Sequence, residues 1–139
     1  MQIAFKYDLQ MARRVIPAIP QSDRILIEAG TPFIKLEGMD GIRWIRRMWP
    51  GHIVADMKVA DGAIGEVEMA RRAGATAVTI LGNAPTESHD LFIKRCEDLN
   101  MLSMIDLIGV TDPLSVLRPL RKSPDVLVIH RGRDEEGTQ

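Results

Sequence analysis

A regular alternation of short apolar runs with segments of helical spacing most constrains the fold of this chain. Six apolar runs recur at fairly even intervals: QIAF, RILIEA, HIVADMKV, TAVTILG, LSMIDLIGV and DVLVIHRG. Runs without strict polar alternation are typical of parallel strands that are covered on both faces. The pattern therefore predicts repeated strand and helix units in an α/β fold.

Five segments between these runs carry the spacing of amphipathic helices, with apolar residues three or four positions apart. Gly74 and Pro50 follow two of them, and TDP at 111–113 predicts a capped helix start with proline in its first turn. The apolar positions that define the five helices are Ala12, Val15, Ile16 and Ile19; Met39, Ile42 and Ile45; Ile64, Val67 and Ala70; Leu91 through Leu99; and Leu114, Leu117 and Leu120.

Composition excludes several classes of partner. The 18 Lys and Arg residues are balanced by 19 Asp and Glu, so no polybasic nucleic-acid surface is expected, and RWIRR and RPLRK are interpreted as solvated helix faces. The beginning of the chain does not resemble a signal peptide, and no apolar run is long enough to span a membrane. Cys96 is the one cysteine, which favours a reducing compartment and predicts a cytoplasmic protein.

Repeated strand and helix units can build a closed eight-stranded barrel or an open doubly wound sheet. Glu28, Asp56, Asp106 and His130 all fall at or near the carboxyl ends of successive predicted strands. In a barrel these ends converge on one mouth, where enzymes of this fold carry their chemistry, whereas an open sheet would spread them along an edge. The charges therefore favour a (β/α) barrel of the TIM type.

The third run contains three charges in a short apolar stretch, VADMKVADGA at 54–63. Strand alternation puts Asp56 and Lys58 on one face, and Asp61 follows the strand. No GxGxxG, phosphate-binding loop or zinc spacing is present, so the candidate site is an oxygen-rich set of Glu28, Asp56, Asp61 and Asp106. Carboxylates suit Mg²⁺.

Each candidate also has a structural interpretation. Asp56 and Lys58 could form a salt bridge at the strand end, and Glu28 could be a helix cap or loop carboxylate. His130 could be a structural histidine, and Asp106 could bond loop amides. Their coincidence at successive strand ends favours a shared site.

Five segments resemble a known family: IEAGTPFIKLEGM, VADMKVADGA, AGATAVTILG, MIDLIGVTDP and IHRGRD. In that order they are similar to the 3-hexulose-6-phosphate synthases and their sister 3-keto-L-gulonate-6-phosphate decarboxylases, in the orotidine 5'-phosphate decarboxylase superfamily of (β/α)8 barrels. The resemblance runs from residue 2 to about residue 135.

The resemblance implies a Mg²⁺-assisted reaction of a sugar phosphate through an enediolate. In the synthases the enediolate of ribulose 5-phosphate adds to formaldehyde; in the sister family it forms by loss of carbon dioxide. By position, Glu28 and Asp56 match the metal carboxylates, Lys58 the cation beside the enediolate, and His130 a proton-handling residue. Asp61 matches a carboxylate that reaches the neighbouring subunit's site, which implies a homodimer with shared active sites.

The chain departs from the family pattern at the first strand and in its mixture of signatures. QIAFKYD has Lys6 where the family has an aspartate, and the nearest carboxylate is Asp8. Arg133 is a feature of the decarboxylases, while Asp106 resembles the synthases. Besides the synthase and the decarboxylase, a catalytically silent binding or assembly relative is therefore a third interpretation.

The third departure concerns the number of strands. Residues 1–139 are expected to form one domain with about six strands, so the barrel would lack its last two strand and helix units. In the superfamily these units bring the main phosphate-binding loops.

Overall fold

The computed structural model describes residues 1–136 and contains all six predicted strands and all five predicted helices, together with a short sixth helix. The strands are β1 (Gln2–Phe5), β2 (Leu26–Ala29), β3 (Ile53–Val59), β4 (Ala77–Leu81), β5 (Leu102–Asp106) and β6 (Val126–Val128). The helices are α1 (Leu9–Val15), α2 (Thr31–Met48), α3 (Ala63–Ala73), α4 (Thr86–Asp98), α5 (Pro113–Leu117) and α6 (Arg133–Glu136). A 3-10 turn, Ile16–Ala18, follows α1, and Gly38 interrupts α2 with a non-helical conformation.

The strands form one parallel sheet in the order β1-β2-β3-β4-β5-β6, so each strand pairs with the next one along the chain. A doubly wound sheet reverses its strand order at a switch point, and the six strands within residues 1–136 run without a reversal. The sheet curls into part of a TIM-type barrel, which confirms the predicted fold class. Among the described residues the outer edges of β1 and β6 have no neighbouring strand.

Two apolar layers stabilise the sheet. The larger layer lies between the helices and the outer face of the sheet, where Phe33, Trp49 and Phe92 are fully buried. The smaller layer lies on the inner, concave face around Val54 and Met104. Alternation along each strand therefore separates residues that pack against helices from residues that point into the barrel.

The predicted helix ends are present. Asp112 precedes Pro113 and its side chain accepts a hydrogen bond from the Leu114 amide at 3.1 Å. Gly74 ends α3 in the left-handed region, with φ of 111°.

Cys96 lies buried in α4, as an ordinary core residue. None of the helices in residues 1–136 combines the length and apolar character needed to cross a bilayer.

Gly30 joins β2 to α2 at a very close approach of two backbone segments. Its N–H donates to the Phe5 carbonyl at 2.9 Å, and a Cβ at residue 30 would lie 2.8 Å from that same oxygen. Only glycine lets the first turn of α2 begin this close to the end of β1. The approach brings Thr31 to the mouth of the partial barrel.

Candidate active site

The concave face of the sheet ends in a cavity of about 660 Å³ at the carboxyl ends of the strands. Inward positions alternate along the strands, so that Ala4, Glu28, Asp56 and Thr79 all face this cavity. Its charged and titratable lining residues are Lys6, Glu28, Lys35, Asp56, Lys58, Asp106, His130 and Arg133. Parallel strands therefore gather groups that are distant in sequence at one mouth, as the barrel interpretation predicts.

Asp56 and Lys58 form the centre of the site. Lys58 Nζ donates to Asp56 Oδ2 at 2.6 Å and to Thr31 Oγ1 at 2.9 Å. The other carboxylate oxygen, Asp56 Oδ1, accepts from Thr79 Oγ1 at 2.8 Å. Asp56 is only 9% exposed, so these charge-assisted bonds offset the cost of removing its charge from water. The predicted strand-end salt bridge is present, within the cavity.

A backbone irregularity directs Lys58 into the cavity. The pairing register of β3 with β4 shifts between Ala55 and Val59, and Lys58 has φ of 46°. Its N–H donates to Thr79 Oγ1 at 3.0 Å. A left-handed lysine costs about 1 kcal/mol or more, and such outliers concentrate at functional sites. Thr79 thus holds both the carboxylate of Asp56 and the strained backbone of Lys58.

Asp106 links Lys58 to His130. His130 Nδ1 lies 2.9 Å from both carboxylate oxygens of Asp106, and Lys58 Nζ lies 3.8 Å from Asp106 Oδ2. Asp106 Oδ1 also accepts from the Ile108 amide at 2.9 Å, so the predicted bond to a loop amide is present as well. Because a carboxylate only accepts hydrogen bonds, His130 carries a proton on Nδ1.

Glu28 lies on β2 and accepts a hydrogen bond from the Gln2 side-chain amide; it is not a helix cap. Burial raises the pKa of Glu28, and the nearby charge of Asp56 raises it further, while Gln2, Lys58 and Lys6 oppose the rise. Two carboxylates that repel each other in a half-buried cavity suit a divalent cation. Within residues 1–136 no group of three His, Cys, Asp or Glu side chains is placed to hold a metal. Glu28 and Asp56 are hard oxygen donors, and as a pair they would need water or substrate oxygens to complete the coordination of Mg²⁺.

Comparison with known proteins identifies the family. The model of the orotidine 5'-phosphate decarboxylase / HUMPS family matches residues 7–138. The chain belongs to this family. Family members with similar sequences include the bifunctional enzyme Fae/Hps of Methanothrix thermoacetophila, 42% identical over 100% of this chain, and that of Methanocaldococcus jannaschii, 40% identical over 88%. The chain spans about a third of these relatives, 36% and 32% of their lengths.

Solved structures of the same family share the fold. The 3-hexulose-6-phosphate synthase from Salmonella typhimurium superposes with a TM-score of 0.89 and 29% identity, over 98% of this chain and 65% of that one. The 3-keto-L-gulonate-6-phosphate decarboxylase from Vibrio cholerae superposes with a TM-score of 0.80 and 26% identity, over 98% and 64%. Both branches of the family named by the resemblance are therefore structural neighbours.

Six of the seven predicted site residues line the cavity at the strand ends, and one does not. Glu28, Asp56, Lys58, Asp106, His130 and Arg133 are the six. Asp61 is exposed and lies outside the cavity, just before α3, and its predicted contact with a neighbouring subunit stays a prediction. Asp8 caps α1 by accepting from the Met11 amide at 3.2 Å, while Lys6 lines the cavity.

Sequence reasoning missed Thr31 and Thr79, which bond the central pair. A signal for each was present. Thr79 is the polar residue inside AVTIL, the apolar part of the run TAVTILG, and Thr31 follows the glycine of EAGTP at the end of a strand. A hydroxyl in such a run needs a hydrogen-bond partner, and the nearest charged strand supplies it.

Proposed function

We propose that this chain provides the lyase chemistry of a 3-hexulose-6-phosphate synthase, joining formaldehyde to ribulose 5-phosphate through an enediolate. The observation that supports it is the position of Lys58, whose Nζ lies 2.6 Å from Asp56 and 3.8 Å from Asp106 in a cavity also lined by Glu28 and His130. A fixed ammonium beside acidic groups suits a reaction that develops negative charge on a substrate oxygen.

Glu28 and Asp56 would hold Mg²⁺ in this proposal. When bound, the ion supplies a Lewis acid that spreads negative charge on the substrate oxygens. The raised pKa of Glu28, caused by burial and by Asp56, supports a role in which a cation relieves the repulsion between the two carboxylates. Lys58 then stabilises the enediolate oxygen, and Thr31 and Thr79 keep Lys58 and Asp56 in position.

His130 is the proposed proton carrier. Its Nδ1 bonds Asp106, which orients the ring and leaves Nε2 as the nitrogen that exchanges protons with substrate. Asp106 is 2% exposed, so its contact with Nδ1 is shielded from water and holds the ring in one orientation. Asp61, exposed at the end of the loop after β3, is proposed to enter the site of a second subunit in a homodimer.

Decarboxylation of 3-keto-L-gulonate 6-phosphate is the second candidate function. Arg133 begins α6 and lines the cavity, where its guanidinium suits a substrate carboxylate. The structural likeness to the Vibrio cholerae decarboxylase also supports this candidate.

The deciding experiment measures formaldehyde-dependent consumption of ribulose 5-phosphate by the purified chain, with Mg²⁺ and then with a chelator. We expect chelator-sensitive turnover that Asp56→Asn abolishes while circular dichroism stays unchanged. Asp98→Asn is the matched control, because Asp98 pairs with Lys94 on the surface of α4, away from the cavity. Turnover retained by Asp56→Asn would contradict the assignment of this residue.

A folded wild-type chain that consumes no ribulose 5-phosphate would refute the synthase proposal. The same preparation is then assayed for carbon dioxide release from 3-keto-L-gulonate 6-phosphate, with Arg133→Met as the variant. If neither substrate is turned over and neither binds, the catalytically silent relative is the remaining interpretation.

A further inference from the structure

Lys6 brings a positive charge to the proposed metal pair. It follows β1 at an inward position, two residues after Ala4, and Ala4 lies in register with Glu28 on the neighbouring strand. The Lys6 side chain passes over Gly30, where its Cγ would lie 3.3 Å from a Cβ at residue 30. The side chain thus lies at the wall of the cavity that Glu28 also lines, and its charge opposes the rise in the pKa of Glu28.

The charge of the cavity opposes the entry of a free dication. Four side-chain cations and three carboxylates line it: Lys6, Lys35, Lys58 and Arg133 against Glu28, Asp56 and Asp106. His130 aside, the cations outnumber the carboxylates by one, so the lining lacks the net negative charge that attracts a dication, and an anion that enters with the ion supplies it.

The carboxylates of the pair also have donors from the chain itself. Both oxygens of Asp56 accept hydrogen bonds, from Thr79 and Lys58, and Glu28 accepts one from Gln2. At Asp56 a metal ion must therefore share an oxygen that already accepts a hydrogen bond, while at Glu28 the bond from Gln2 involves Oε1 alone. Lys58 and Thr79 belong to the catalytic arrangement proposed above, whereas Lys6 makes no hydrogen bond or ion pair with Asp56. Lys6 can therefore be removed without dismantling the centre of the site.

We propose that Lys6 sets the divalent-cation affinity of the Glu28 and Asp56 pair, keeping it low until an anionic sugar phosphate occupies the cavity. The inference rests on the proposed metal role of these two residues. A phosphate group offsets the charge of Lys6 and so removes part of the repulsion on the dication. By thermodynamic linkage, each ligand then raises the affinity for the other by the same factor.

The test is a calorimetric titration of the full chain with Mn²⁺, repeated with ribulose 5-phosphate present. We expect Lys6→Met to lower the Mn²⁺ dissociation constant about tenfold, because removing one unit charge near a dication in a partly solvated cavity has an effect of about this size. Lys35→Met is the matched control. It removes the same charge from the same cavity, but Lys35 lies on α2 and is not among the groups that act on Glu28. We expect the control to change the constant less than about threefold.

The sugar phosphate supplies the second readout. In the wild type, ribulose 5-phosphate should lower the Mn²⁺ dissociation constant. In Lys6→Met this decrease should be smaller, because the positive charge that the phosphate offsets has been removed. An unchanged dissociation constant in Lys6→Met, or an equal change in Lys35→Met, refutes the role of Lys6. Lys6→Gln repeats the measurement with a polar side chain if circular dichroism shows that the methionine variant is unfolded.

Asp56→Asn in the Lys6→Met background separates this inference from the proposed function. If Mn²⁺ affinity does not depend on Asp56, the metal pair itself is wrong and both proposals fail. If binding depends on Asp56 but not on Lys6, only the present inference fails. Titration of Asp56→Asn alone completes a double-mutant cycle, from which the interaction between the two residues follows.

Discussion

Thr79→Val isolates the hydroxyl that holds the centre of the site. Valine keeps the size and β-branching of threonine, so the strand and its packing are preserved. The substitution removes two hydrogen bonds of the hydroxyl: the one that it donates to Asp56 Oδ1 at 2.8 Å and the one that it accepts from the Lys58 N–H at 3.0 Å. Thr79 is 3% exposed, so water does not readily replace either bond.

The expected loss follows from these two bonds. A buried hydrogen bond to a charged group contributes about 1.5–3 kcal/mol, and a neutral one contributes about 1 kcal/mol. Thr79→Val should therefore lower the free energy of unfolding by about 2.5–4 kcal/mol, out of the roughly 5–15 kcal/mol that such a domain has. With an m value of about 2 kcal/mol/M, the urea midpoint falls by about 1–2 M.

Thr76→Val is the matched control, one residue before the amino end of β4. Thr76 Oγ1 accepts from the Ile53 amide at 3.0 Å and contacts His52 Nδ1 at 2.9 Å, and no carboxylate is involved. It is half-buried, so we expect a loss of only about 1 kcal/mol. Urea denaturation of the two variants is the assay. Equal losses, or a loss below about 1 kcal/mol for Thr79→Val, would refute the argument that the buried charge makes this hydroxyl important.

Two further predictions concern Glu28 and Gly30. Burial and Asp56 raise the pKa of Glu28 above 4.5, so the folded protein disfavours the ionised carboxylate. The free energy of unfolding therefore decreases as the pH rises from the unfolded-state pKa through the raised pKa. Glu28→Gln should therefore be more stable than the wild type near neutral pH, with the two converging as the pH falls below 4.5, and urea denaturation over a pH series checks this. Gly30→Ala forces a Cβ to 2.8 Å from the Phe5 carbonyl oxygen and should cost about 1–3 kcal/mol, whereas Gly65→Ala in α3, with nothing within 4 Å, should gain about 0.5–1 kcal/mol. Thermal melts that show the same sign for both alanine variants would contradict this assignment.

Local periodicity was sufficient for the elements and for which residues share a face. The apolar runs predicted every strand, and alternation within VADMKVADGA correctly put Asp56 and Lys58 on the inward side. These properties depend on contacts between near neighbours in the chain, so the sequence pattern carries them directly. The caps at Asp112 and Gly74 were predictable for the same reason.

The partners of the central pair were not predictable in this way. Thr31 and Thr79 lie 27 and 21 residues from Lys58 along the chain. Their contacts with it depend on the register of three strands and on the shift between β3 and β4. A register shift arises from competing long-range pairings between strands. The residues next to Lys58 in the sequence carry no pattern that predicts its left-handed backbone conformation.

Taken by itself, the sequence determined the order of strands and helices, the inward face of each strand and the family to which the chain belongs. Only the tertiary structure decided that the sheet runs β1 to β6 without reversal, that Lys58 lies between Asp56 and Asp106, and that Lys6 enters the same cavity while Asp61 stays outside it. The physical reason is that side-chain direction along one strand follows from backbone geometry, whereas the distance between charges on different strands follows from register and curvature. Those properties belong to the whole sheet.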